Sequence, residues 1–168
     1  MKIKKINKNE YFIEENGVKV FSYILTDDTL CAGSSDVLPN EELFIKILSI
    51  LKENMIIRVV NENLFSLFDK YCKVTAVCVE RTLNYYENNY DIKEKYFEID
   101  NLKIKYFETE NSAYCNFIKN EISDELEISK TINYLKNKNK LTFIIDVQNL
   151  DCFFSLGFKI EYKDYKLA

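Results

Sequence analysis

Three blocks of this sequence occur twice, in the same order and at nearly the same spacing. YFIEENGVKV from Tyr11 matches YFEIDNLKIK from Tyr96, NEELFIKILSILKEN from Asn40 matches SDELEISKTINYLKNK from Ser123, and NLFSLFDKYCKV from Asn63 matches NLDCFFSLGFKI from Asn149. The period exceeds the roughly 20 to 50 residues of solenoid units, so the pattern predicts two associated halves, 1–90 and 91–168, rather than an array. The competing parse makes 1–168 one domain, with the helices at Glu41 and Asn63 as its first two, and treats the repeat as accidental.

Local signals fill in each half. Tyr11 to Glu15 alternates, Asn16-Gly17 marks a tight turn, and Val18 to Leu25 alternates again, which predicts a hairpin. A short strand, Thr29 to Ala32, leads past Pro39 into a stretch where Phe44, Ile47, Leu48 and Leu51 recur at helical spacing. Met55 to Val60 is an apolar run with one Arg, as suits a strand buried on both faces. A short helix, Asn63 to Tyr71, and a β-rich segment, Lys73 to Val79, follow, and Arg81 to Lys95 reads as the connection between halves. The fold class expected is α/β in the α+β sense: a mixed, largely antiparallel sheet with flanking helices, built from two β-β-β-α-β-α-β repeats.

Composition closes several functional classes. The chain of 168 residues has no His, so neither a Ser-His-Asp nor a Cys-His nucleophile can be assembled, and the usual catalytic zinc lacks its imidazole. No metal site is expected. The three glycines, Gly17, Gly33 and Gly157, cannot spell a phosphate loop or a dinucleotide fingerprint. A net charge of -4, with Arg only at Arg58 and Arg81, disfavours non-specific binding to nucleic acid or anionic membrane. No segment has the roughly 20 apolar residues of a membrane span, and the basic opening MKIKKINKNE is not followed by a signal-length apolar stretch. The five cysteines form no CxxC pair, which fits reduced thiols in a cytoplasmic protein.

The closing segment LTFIIDVQNLDCFFSLGFKIEYKDYKLA, Leu141 to Ala168, resembles the end of the GCN5-related N-acetyltransferase (GNAT) fold, where a buried strand precedes a short helix, a YEKLGF-like signature and a final pair of strands. FFSLGF, Phe153 to Phe158, occupies the matching place. In the first half NENLFSLFDKYCKV from Asn61 is similar, with Cys72 where the family has Gly, and EYFIEENGVKVFSYI from Glu10 resembles the family's second and third strands. Each half lacks room for the first strand and the two helices that form part of the family's acceptor site.

The resemblance implies an acyl-CoA cofactor, acetyl-CoA above all, and an amine acceptor. Its pyrophosphate would meet backbone N–H groups where the main helix begins. The loop positions read AGSSDVLPNEE from Ala32 and CNFIKNEISDE from Cys115, and neither fits the family's [QR]-x-x-G-x-[GA]. Gly33, Ser34 and Ser35 are the residues able to bring amides to a phosphate. Glu41, Glu42, Asp124 and Glu125 oppose it, and read as first-turn acids behind Asn40 and Ser123 caps. The family's proton-donating Tyr corresponds to Phe68 and Phe153, leaving Tyr71 or Tyr162 as substitutes, of which Tyr162 is the candidate. Asp27, Asp28, Glu108 and Asp146 are the carboxylates placed to act as base, and Asp146, which ends the buried strand FIID, is the strongest because desolvation raises a carboxylate's pKa.

Two functions follow from these residues. One is an acyl-CoA-dependent N-acyltransferase with an eroded cofactor loop; the other is a non-catalytic GNAT-like module that binds a partner, a small ligand or a second copy of itself. A homodimer would use strand edges such as YFEIDNLKIKYFE, where Lys103, Lys105 and Glu108 are also the charges that guard against pairing.

Overall fold

A computed structural model describes residues 1–33, 37–51, 54–82, 91–99, 102–117, 125–145 and 150–168. The chain divides into two compact units, Met1–Thr75 with Tyr162–Ala168, and Ala76–Glu161. Both are α+β, with mostly antiparallel strands and flanking helices.

The first unit contains β1 (Lys2–Lys5), β2 (Glu10–Glu15), β3 (Val18–Leu25), β4 (Thr29–Ala32), α1 (Glu41–Leu48), β5 (Ile56–Val59), a single 3-10 turn (Glu62–Leu64) and α2 (Phe65–Tyr71). The second contains β7 (Lys93–Ile99), β8 (Leu102–Glu108), β9 (Ser112–Phe117), α3 (Glu125–Tyr134), β10 (Lys140–Ile145) and α4 (Leu150–Ser155). After β1 the order β-β-β-α-β-α-β therefore runs twice, closing with β6 (Cys72–Thr82) and then β11 (Lys159–Leu167). In the first unit the strands lie in the order β1-β2-β3-β4-β5-β11, and in the second β6-β10-β9-β8-β7. β4/β5 and β9/β10 pair in parallel, each joined through a helix. The span Arg81 to Lys95 is shorter as a connection than its polarity suggests, because β6 continues through Thr82 and β7 starts at Lys93.

Asn16 and Gly17, with φ of 52° and 82°, supply the left-handed pair that a two-residue hairpin turn requires, and β2 and β3 pair on either side of it. At α1, the Asn40 side chain accepts from the Leu43 amide, while Phe44 and Ile47 turn inward from the same stripe. Register aligns Leu30 with Ile57 and Ala32 with Val59, and Tyr165 with Ile57, so these side chains share one sheet face. Phe44 and Phe68 close that core edge to face at 4.9 Å, and the Phe68 ring lies 5.2 Å from that of Tyr165. In the second unit Phe143, Phe153 and Phe158 form a triangle with centroid separations of 5.3, 5.6 and 5.3 Å.

The SLGF segment has a direct physical account. Gly157 sits at φ 86°, the Phe158 amide donates to the Phe153 carbonyl at 3.0 Å, and the Gly157 amide donates to the Phe154 carbonyl at 3.1 Å. Those two bonds with the Phe153–Phe158 contact make a Schellman cap. The first half has no such cap: Cys72 is extended at φ -126°, and α2 runs straight into β6.

Two stability predictions follow. Gly157→Ala should cost about 1–2 kcal/mol from left-handed strain alone, since an added Cβ would meet only Arg81 Cδ at 3.7 Å. Phe68→Ala, at a fully buried position, should cost about 3–5 kcal/mol. Urea denaturation monitored by far-UV circular dichroism measures both, and a change below half of either figure contradicts the packing described.

Candidate functional site

The carboxyl ends of the parallel pair β4/β5 open into a cleft of about 460 Å³ in the first unit, walled by Glu10, Lys19, Ser22, Cys31, Gly33 and Asn61 together with Tyr23, Ile24, Ala32 and Val60. Such a place arises from topology: two parallel strands joined by a helix leave their carboxyl ends free of a tight turn, and ligands collect there. The wall is chemically mild. It offers hydroxyl, carboxamide, thiol and phenol groups, with one acid and one base. Burial pushes the Tyr23 phenol up, so it stays protonated at neutral pH and can donate a hydrogen bond.

Several donors that could serve a ligand are already engaged. The Gly33 amide donates to the Ser22 carbonyl at 2.8 Å, and a Cβ at Gly33 would come within 2.9 Å of Ser22 Oγ. The missing side chain thus lets the chain after β4 approach β3. At the start of α1, Asn40 Oδ1 takes the Leu43 amide at 2.9 Å and the Asn40 carbonyl takes the Phe44 amide at 2.9 Å. Glu41 accepts from both Lys70 and Tyr71 of α2. This helix end carries its own cap and its own acids, and its donor set does not fit a diphosphate.

On the sheet face opposite the aromatic core, Cys31, Arg58 and Asp164 stand side by side in register on β4, β5 and β11. Arg58 Nε and Nη2 donate to the two Asp164 oxygens, each at 2.9 Å, and the Tyr162 ring lies 4.0 Å from the guanidinium. The hydrogen bonds to Asp164 hold the Arg58 pKa above its ordinary value. Tyr162 is therefore a platform under Arg58. Asp146, Ser34 and Ser35 lie outside the described residues.

The remaining sequence candidates separate spatially. Asp27 and Asp28 are exposed in the turn before β4, at the amino ends of the parallel pair and away from the cleft. Glu108 lies in the second unit, beside a smaller hollow of about 300 Å³ shared with Asp91, Lys93, Thr109, Glu110 and Lys138. It is paired with Lys95 and, at 3.2 Å, with Lys138. The hydrogen bond from Lys95, then that from Lys138, holds its carboxyl below the ordinary range, the wrong direction for a base working at neutral pH. Phe68 and Phe153 are fully buried. Desolvation pushes the Cys72 thiol up to about 11 and the Cys115 thiol further still, so both are unreactive at neutral pH. Among the described residues no group of three or more His, Cys, Asp or Glu could hold a metal ion, and no helix is long and apolar enough to cross a membrane.

Sequence reasoning missed Ser22 in the cleft wall and the Arg58–Asp164 pair on β5 and β11. The single signal was Arg58 itself, a lone charge in the run MIIRVV.

No family model matches the chain, and no curated protein matches it. Among solved structures it is similar to a functionally unknown conserved protein from Staphylococcus epidermidis ATCC 12228, at 9% identity over 93% of each chain with a TM-score of 0.41. It is also similar to a tandem GNAT protein from the clavulanic acid biosynthesis pathway, solved without AcCoA, at 6% identity over 93% of this chain and 80% of that one with a TM-score of 0.30.

Proposed function

We propose that the chain is a tandem of two reduced GNAT-like halves acting as a non-catalytic binding module, whose small-molecule ligand sits at the carboxyl ends of β4 and β5. The cleft carries the reading: it is large enough for a small ligand and lined by hydroxyl, carboxamide, thiol and phenol groups beside one acid and one base. Among the described residues, the Gly33, Leu43 and Phe44 amides already have partners within the protein. The repeated element order and the parallel pair bridged by a helix in each half support the GNAT-like assignment. The replacement of a phenol by buried Phe68 and Phe153 supports the loss of proton donation to a leaving thiolate. Five free cysteines favour the reducing cytoplasm.

A second reading, transfer of an acyl group from acetyl-CoA to an amine, draws on the same cleft, which lies where a parallel pair ends beside Gly33. Tyr162, whose ring stacks on the Arg58 guanidinium, would be its proton donor.

Titration with acetyl-CoA separates the two readings. Calorimetry should give no saturable heat up to millimolar concentration, and no CoA thiol should be released in the presence of amines. Saturable heat with thiol release would establish the transferase instead. A small molecule bound in the cleft should stabilise the fold by about 2.7 kcal/mol at a hundredfold excess over its Kd and should slow alkylation of Cys31, which lines the cleft, without slowing that of Cys152. Thermal stabilisation with unchanged Cys31 labelling would place the ligand elsewhere.

A further inference from the structure

Each compact unit takes its last strand from the other half of the sequence. β6 follows α2 of the first half, yet Val77–Thr82 pair with Lys140–Ile145 of β10 in the second unit. β11 follows α4 of the second half, yet Lys163–Tyr165 pair with Ile57–Val59 of β5 in the first unit. We infer that the two halves are reciprocally strand-exchanged, so that the partner fitted to the free edge of β5 is the closing strand of this chain's own second half, and neither half folds without the other.

Each exchanged strand stands at one end of its unit's strand order, β11 beside β5 and β6 beside β10. Val77, Cys78 and Val79 are buried in succession, as are Asp164 and Tyr165, which is the pattern of strands covered on both faces. They are also where the chain places its arginines. Of 23 basic residues only Arg58 and Arg81 are Arg, and each acts at an exchanged strand. Arg58 on β5 grips Asp164 of β11 through two parallel hydrogen bonds. Arg81, carried on β6, donates to the Leu156 carbonyl at 3.3 Å and lies over the Phe158 ring at 5.2 Å, holding the Schellman turn of α4. Lysine could supply the charge but not the planar fork or the stacking. A second contact locks β11 in place: Asp69 of α2 accepts from Lys163 at 2.9 Å and from the Tyr165 hydroxyl at 2.8 Å.

The exchange bears on the cleft as well, because Tyr162 and Asp164 complete the face on which Cys31 and Arg58 stand. The inference itself rests on strand pairing and burial, and its test contains no ligand, so its failure and that of the binding reading are distinguishable.

The test uses the full chain with a site-specific protease sequence inserted between Thr82 and Asp91. After cleavage of the folded protein the two pieces should co-elute as one species. Separated in denaturant and refolded alone, each should lack a cooperative melt, and mixing should restore it. Introducing Asp164→Asn into the same cleavable chain should raise the dissociation constant of the pieces at least tenfold, and Arg58→Lys should do so in the same direction. A cooperative melt from either piece alone, or separation of the pieces on the column, overturns the exchange. Unchanged dissociation in both variants overturns the role given to the arginine.

Discussion

The bidentate pair between Arg58 and Asp164 ties the end of the chain into the first unit, joining residues 106 positions apart through side chains on neighbouring strands. Removing one partner of a fully buried pair costs about 3–5 kcal/mol, mostly by stranding the other charge. Here the Asp164 side chain is 11% exposed and that of Arg58 37% exposed, so the penalty falls chiefly on loss of Arg58, which would leave the carboxylate buried alone. Tyr162 adds a stacked ring beneath the guanidinium, and the Thr75 hydroxyl donates to the Asp164 carbonyl at 3.2 Å. Once β11 is clamped by this face, its other face presents Tyr165 to Phe68, and the aromatic core of the first unit closes around it.

The helices that precede β6 and β11 end differently. The second half ends α4 with a glycine cap and a turn, so the chain reverses into β11 under the hold of Arg81. The first half substitutes Cys72 and dispenses with the turn, and the helix passes directly into a strand of 11 residues. The extended backbone at Cys72 lets the helix pass into the strand without a turn. Cys72 is buried there with its thiol pushed up to about 11, a packing residue with no redox task implied.

Much of the local structure was legible because its causes are local. Asn16-Gly17, the strand at Thr29–Ala32, the cap at Asn40 and the helix carrying Phe44 and Ile47 all follow from residues within a few positions of one another. What was not legible is pairing. The apolar succession Val77, Cys78, Val79 announces a strand covered on both faces but contains nothing that says which strand lies beside it. β1 was missed since KIKK is exposed at every position and shows no alternation of burial. Arg81 reads as part of a linker because a charge amid polar residues looks the same whether it faces water or an aromatic ring. The same limit applies to the cleft: Gly33 was legible as a close-approach residue, but what approaches it is Ser22, placed there by hairpin register.

The scarcity of glycine therefore has a structural rather than a chemical meaning. Gly157 is committed to the α4 cap and Gly33 to the contact with β3, while Gly17 completes the hairpin turn. None is left to expose a run of amides to an anion. The first-turn acids point the same way, for Glu41 is bound by Lys70 and Tyr71 and so ties α1 to α2 across the helical layer. In a transferase of the resembled family the amino end of that helix is where cofactor charge is met. Here it is where two helices are fastened together.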